Sequence, residues 1–305
     1  MKLSQHDPSI DQRMTLGRRT LSRGVARGRL GAFALAAWTG GCAHIPAIRA
    51  QHITSRTAVH VQNRWLSLRL SHPPSVAAAQ PLILFVTGDG GWHGKDLDAF
   101  DHLITWGYPV VGMSAPDYLD HLGDGALQLP AERLARDLAE IVDTGRSQLG
   151  LSATTPVLLL GVSRGADLVV VAAAQRSLRS SVIGVLAVGL TKEEEYVRRP
   201  RRRRRPASNL DQPSGNVEVG LLAHPYAALQ RVTAPVCVIQ STNDEYVTAA
   251  DARRLFGPDS RSRRLQAIEA RNHSFSDARD ALYEAVKQSL LWVASHNASP
   301  GQVRP

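Results

Sequence analysis

Val157-Leu158-Leu159-Leu160-Gly161-Val162-Ser163-Arg164-Gly165-Ala166-Asp167-Leu168-Val169-Val170-Val171-Ala172 is the stretch on which the reading of this chain turns. Its four opening apolar residues predict a strand buried on both faces. A G-x-S-x-G pentapeptide follows, from Gly161 to Gly165, and then a run apolar nearly all round. Such a run predicts a helix buried against a sheet. The bare pentapeptide is a weak signal, since with glycine near 7% of residues chance supplies it in roughly one chain of this length in ten. Between a buried strand and a buried helix it becomes specific. A sharp strand-to-helix turn holds a serine at its tip, and the two glycines let strand and helix approach where a Cβ would clash. A merely structural glycine-rich turn is the bland alternative, and the setting disfavours it.

On either side of this turn, short β-branched or leucine-rich runs recur at residues 82–86, 110–113, 182–188, 236–240 and 264–268. Longer helical stretches separate them, at 96–106, 131–148, 165–177, 249–256 and 276–295. Earlier, 57–61 and 65–70 alternate as a hairpin would. Continuous apolar strands alternating with helices imply an α/β fold, a mostly parallel central sheet with helices on both faces. The helix over 131–148 is amphipathic, with Leu134, Leu138, Ile141 and Val142 on one stripe. Residues 190–230 break the rhythm between the sixth and seventh strands and are read as an insertion or lid. The domain is expected to span 55–296 around that insertion.

A serine hydroxyl is a weak nucleophile and needs an adjacent base. Where a strand–G-x-S-x-G–helix turn supplies the serine, acid and histidine follow in that chain order from loops at strand ends. His273 lies after the last predicted strand and before the last helix, and occupies the base's slot. His224 and His296 are rivals in poorer positions, one in the insertion and one trailing the final helix. The acid should follow the strand over 236–240, which makes Asp244 the first candidate and Glu245 the second. Ser163, Asp244 and His273 are thus the candidate catalytic residues of an α/β-hydrolase fold. For each, an ordinary loop residue is the bland reading.

A tetrahedral intermediate also needs two backbone N–H donors. Arg164, directly after the serine, should supply one, and the glycine-rich loop Thr87-Gly88-Asp89-Gly90-Gly91-Trp92 the other. Asp89 is the expected donor there, with Gly90 as alternative. No Cys or His cluster has zinc spacing, and no G-K-[ST] follows the glycine-rich loop, so neither a metal nor a phosphate-binding cofactor is expected.

The chain has 305 residues and a formal net charge of +9. Residues 1–41 contribute +5 and the seven arginines from Arg198 to Arg205 contribute +7, which leaves −3 for the remainder. The body is therefore mildly acidic, and no basic docking face or motif points to nucleic acid. No tract approaches the roughly 20 apolar residues of a membrane-spanning helix. Five arginines between Arg18 and Arg29, then the apolar run 30–38 and Thr39-Gly40-Gly41-Cys42, read as an export signal. Small residues before a cysteine also fit a lipoprotein box, with Cys42 lipidated as the first mature residue. Plain cleavage into a soluble periplasmic protein is the alternative, and Arg18-Arg19 leaves general secretory and twin-arginine export both open. Cys237 sits in an apolar run and reads as a small buried hydrophobe. The arginine run is by composition a solvated tract. As a device it would attract anionic lipid, worth about 1 kcal/mol per arginine near a charged surface.

Taken together, Thr87–Trp92, then Tyr108-Pro109-Val110-Val111-Gly112, then Gly161-Val162-Ser163-Arg164-Gly165-Ala166-Asp167 resemble the bacterial virulence protein VirJ and the related AcvB C-terminal domain. The resemblance implies a periplasmic α/β-hydrolase that releases lysine or another amino acid from aminoacylated phosphatidylglycerol, a membrane lipid. It also implies that Gly90, Trp92, Asp117 and Tyr118 border the substrate. Two positions depart from the pattern. Asp117-Tyr118-Leu119 replaces an aromatic tripeptide, and Arg164 replaces an aromatic beside the serine. The competing functions are a general carboxylesterase and a catalytically silent partner of an envelope or secretion assembly. Oligomeric state has no sequence signal.

Overall fold

Apolar runs without polar interruption bury both faces of a strand, and they form the centre of an eight-stranded sheet ordered β1-β2-β4-β3-β5-β6-β9-β10. The computed structural model describes residues 53–62, 64–72, 80–120, 130–192, 194–197 and 220–297. The first strands are β1 (Ile53–Val61), β2 (Arg64–His72), β3 (Leu82–Val86) and β4 (Val110–Met113). They are followed by β5 (Val157–Val162) and β6 (Val182–Val188), then β7 (Glu194–Val197) and β8 (Gly220–Ala223), and finally β9 (Val236–Ser241) and β10 (Arg263–Ile268). From β4 to β10 the sheet is parallel, and the β1–β2 hairpin adds an antiparallel edge. The α/β-hydrolase architecture expected from the sequence is the one observed.

The helices are α1 (Gly94–Thr105), α2 (Ala115–Leu119), α3 (Ala131–Gln148) and α4 (Arg164–Ala173), then α5 (Pro225–Leu229), α6 (Ala249–Phe256) and α7 (Arg279–Asn297). Alternate residues of one strand face opposite layers. Thus Leu84 and Leu159 pack with α3 and α4, whereas Ile83, Phe85, Leu158 and Leu160 pack with α1 and α7. Every residue of α4 from Gly165 to Ala173 is buried, as its all-round apolar sequence predicts. Deleting a side chain such as Leu84 here would cost about 2–5 kcal/mol.

Some boundaries differ from expectation. The helix predicted over 165–177 stops at Ala173, and a 3₁₀ turn follows at Arg176–Leu178. The last helix starts at Arg279 because Phe275 has φ 53° and closes turns with Asn272 and Ala278. In the insertion, β7 and β8 pair as a separate two-stranded sheet. Residues 1–52, with Cys42 and the predicted leader, lie outside the described residues, as does the run from Arg198 to Arg205.

Candidate active site

Ser163 stands between β5 and α4 with φ 52° and ψ −122°, a conformation a non-glycine residue adopts only where its surroundings impose it. The Ser163 N–H donates to Val188 O (2.7 Å), and Ser163 O accepts from Ala166 N–H (2.7 Å). The flanking glycines are required by contact. A Cβ on Gly161 would meet Gly165 O at 2.2 Å, and one on Gly165 would meet Val86 O at 2.2 Å. Strand, helix and the neighbouring β3 are thereby locked around the serine.

His273, on the loop after β10, places Nε2 2.9 Å from Ser163 Oγ and Nδ1 2.6 Å from Asp244 Oδ2. A carboxylate only accepts, so Nδ1 carries the proton and Nε2 is free to accept the serine hydroxyl. Asp244, after β9, is 4% exposed. Its Oδ2 also accepts from Gln240 Nε2 (2.7 Å), and its Oδ1 from the N–H groups of Tyr246 (2.9 Å) and Val247 (3.1 Å). Burial works to raise this carboxyl, but the hydrogen bond and charge of His273, with the two N–H groups, outweigh it and hold it below the ordinary value. Glu245 has a different task, since it is exposed and accepts the backbone N–H of His273 (2.7 Å). The choice left open by the sequence falls geometrically on Asp244. Serine, histidine and acid all come from loops at the carboxyl ends of parallel strands, where ligands of such sheets bind.

Ser163 opens into a cavity of about 620 Å³ lined by Gly88, Asp89, Gly90, Lys95, Asp96, Arg164, Lys192, Tyr246 and His273 among others. Residues Gly88 to Gly91 form a tight turn in which Gly91 N–H donates to Gly88 O (3.0 Å). Gly88 packs against the serine, for a Cβ there would meet Val162 O at 3.3 Å and Ser163 Cβ at 3.4 Å. Its N–H donates to Asp96 Oδ2 (3.1 Å) on α1. Asp96 is 3% exposed, and its Oδ1 has no hydrogen-bond partner among the described residues. Burial pushes the Asp96 carboxyl up to about 6, against the opposing pull of Lys95, the Gly88 N–H and Arg279, while Asp89 pushes the same way as burial. Lys95 is itself lowered by burial, with Asp96 working in the other direction.

The expected site residues divide into those gathered here and those placed elsewhere. Ser163, His273, Asp89, Gly90 and Arg164 line one cavity, and Asp244 is held to it through His273. Asp89 and Gly90 are the central residues of the turn, and the Asp89 carboxylate pairs with Arg164 Nε (2.5 Å). Three expected substrate contacts do not line this cavity. Tyr118 is fully buried, and its hydroxyl donates to Asp137 Oδ2 (2.8 Å) and accepts from Gln62 Nε2 (3.1 Å), which makes it a packing residue under α2. Trp92 turns into the layer of α1, edge-on to Phe100 (5.3 Å) and beneath the Arg69 guanidinium (4.7 Å). Asp117 is exposed in the first turn of α2, where its N–H is capped by Ser114 Oγ (3.3 Å), away from the cavity lining.

Residues given no role in the sequence reading complete the site. Gly189, after β6, has φ +65°, and a Cβ there would meet His273 Cε1 at 2.8 Å. Tyr246 packs its ring edge-on to the imidazole at 4.9 Å. Asp167, buried in α4, accepts from Thr191 N–H (3.0 Å) and Thr191 Oγ1 (2.7 Å), and so ties the helix to the loop after β6. Of these, only Asp167 stood in a stretch singled out in the sequence, the run from Gly161 to Asp167.

Residues 80–198 match the family described as bacterial virulence protein (VirJ). The likeness read from the motifs is shown over that span, which holds the glycine-rich turn, Asp96 and Ser163 and ends before Asp244 and His273. No curated protein matches the chain in sequence. Among solved structures, Est1E from Butyrivibrio proteoclasticus superposes with a TM-score of 0.56 at 15% identity, covering 79% of this chain and 99% of that one. A dienelactone hydrolase from Anabaena variabilis gives 0.51 at 20% identity, over 78% and 96%. An esterase domain from a Rhodothermus marinus protein gives 0.51 at 19%, over 80% and 99%. At these identities the likeness is one of fold.

Proposed function

We propose, from the premise that residues 80–198 carry the VirJ likeness, that this chain is a serine hydrolase acting on an ester through an acyl-enzyme. One observation carries the reading: the hydrogen-bonded chain from Ser163 through His273 to Asp244, set at a strained turn in an open cavity. Ser163 Oγ attacks the carbonyl carbon and His273 Nε2 takes its proton. The N–H groups of Arg164 and Asp89 hold the oxyanion, and His273 then protonates the departing alcohol. Water deprotonated by His273 attacks the acyl-enzyme and frees the acid.

The substrate we propose is an aminoacylated phosphatidylglycerol, such as lysyl-phosphatidylglycerol, met at the periplasmic face of a membrane. The support is the family likeness together with the leader and arginine run of the sequence. A general carboxylesterase is the second reading. It is favoured by the Asp89–Arg164 pair, which engages a carboxylate that could otherwise receive a lysyl ammonium.

Two measurements separate these readings. A fluorophosphonate should label the purified protein, and Ser163→Ala should abolish the labelling; a well-folded wild type that resists labelling would favour a binding module. Vesicles containing lysyl-phosphatidylglycerol should release free lysine with the wild type alone. If a short soluble ester is cleaved and this lipid is not, the carboxylesterase reading replaces the lipid one.

A further inference from the structure

Asp96 is buried next to the reacting serine without belonging to the Ser163–His273–Asp244 chain. Taking a carboxylate out of water is costly, and such a group is retained where it holds something in place. What this one holds is specific. Its Oδ2 accepts the N–H of Gly88, the residue that begins the turn bearing Asp89 and Gly90 and that sits so near the serine that a Cβ on it would meet Ser163 Cβ at 3.4 Å. The turn is closed at its other end by Gly91 N–H donating to Gly88 O. Gly88 and Gly91 thus direct their N–H groups away from an oxyanion, one to a side chain of α1 and one within the turn.

We propose that Asp96 is a positioning residue for the oxyanion-binding turn: by accepting the Gly88 N–H it seats that turn against Ser163 and so places the donor of Asp89 or Gly90. The proposal rests on the hydrolase reading above, because a silent fold has no oxyanion to place. Its chemistry is geometric. The Asp96 bond acts at the start of the turn, beside the ties at Thr87, whose N–H donates to Met113 O (3.1 Å) and whose Oγ1 accepts from Ala115 N–H (3.1 Å), and the Asp89–Arg164 pair at its tip. Misplacing a donor by about 1 Å can cost on the order of 10²-fold in rate while the substrate still binds.

The test compares Asp96→Ala, which has no acceptor, with Asp96→Asn, whose amide oxygen can still accept from Gly88. Asp96→Ala should lower kcat on a soluble ester by about 10- to 100-fold. KM should stay within about threefold, and fluorophosphonate labelling should slow by the same factor as kcat. Asp96→Asn should recover kcat to within about threefold of wild type. If Asp96→Ala does not fold, Asp96→Val fills the same space and carries the same expectation. Hydrogen exchange at the Gly88 amide gives a readout apart from activity: protection should be lost in Asp96→Ala and kept in Asp96→Asn. Wild-type kcat in Asp96→Ala overturns the proposal, as does equal impairment of both variants, which would assign the effect to charge. A wild type that resists fluorophosphonate while Gly88 protection follows the expected pattern would sink the hydrolase reading and leave the hydrogen bond standing.

Discussion

Asp244 and Glu245 are adjacent carboxylates that both touch His273, and they touch different ends of it. Asp244 accepts the imidazole N–H, which fixes the tautomer and would stabilise an imidazolium, whereas Glu245 accepts the backbone N–H and fixes the loop. Asp244→Asn should therefore lower kcat by up to about 10⁴-fold, and Glu245→Gln by less than about tenfold, in steady-state assays of a soluble ester. Equal losses would show that loop placement, not tautomer control, dominates. Asp96 makes a separate prediction about stability. Its folded value of about 6 lies above its ordinary 3.8, so the native state keeps a proton that the unfolded chain has lost. Stability from this group falls as pH rises through roughly 4 to 6 and is level above that. Removing the charge in Asp96→Asn should raise unfolding stability at pH 7.5 by on the order of 2–3 kcal/mol, and the gain should vanish near pH 4. Urea unfolding at the two pH values measures it. Ser163, His273 and Asp244 were legible in the sequence because chain order and strand ends restrict where each can sit. Asp96 and Gly189 were not, because a helix carboxylate and a lone glycine acquire meaning only from what the fold sets beside them.

At the scale of elements, the turn from β5 to α4 shows why so much of the fold could be read from sixteen residues. A strand buried on both faces needs a layer on each side, and an all-apolar α4 supplies one of them, so one local pattern already implies a three-layer molecule. The closeness of that packing appears in the glycines, where the obstacle to a side chain is backbone and cannot move aside. Gly165→Ala should destabilise by about 3 kcal/mol or more, seen as a lowered urea midpoint at unchanged m, because its Cβ would press on Val86 O. An alanine tolerated there within about 0.5 kcal/mol would mean that α4 can slide, and that the turn is less constrained than its φ implies. The elements missed from the sequence are the short ones. Glu194–Val197 is two glutamates, a tyrosine and a valine, with no apolar period, and its pairing with Gly220–Ala223 is decided across the insertion. The placement of Tyr118 and Trp92 outside the cavity lining has a related cause. Aromatic residues near a glycine-rich loop look available to a ligand, yet a buried sheet claims large rings for its own layers: Tyr118 is fully buried, and Trp92 is half-buried against Phe100.

At the scale of the whole molecule, charge is divided between two basic tracts, residues 1–41 and the arginines from Arg198 to Arg205, and a mildly acidic remainder. The run belongs to the insertion between β6 and β9, and both of those strands end at the candidate site. Seven arginines cannot serve a cationic head group in the pocket, since they would repel it, but they would be drawn to the anionic lipids around it at about 1 kcal/mol each close to the surface. If Cys42 is lipidated, the run would be the second of two signals, and two weak signals are what stable attachment to a membrane needs. Replacing the seven arginines by glutamine should therefore weaken sedimentation with phosphatidylglycerol vesicles by at least tenfold at low salt. Turnover of a short soluble ester should be unchanged. Raising the salt should weaken wild-type binding as well, because charges at an exposed surface are screened over about 10 Å at 0.1 M. Vesicle binding that ignores both the substitution and the salt would remove the arginines from the proposed membrane contact and leave it to the proposed lipid on Cys42. A fall in soluble-ester turnover would instead place the run over the mouth of the cavity, as part of the enzyme and not of its docking.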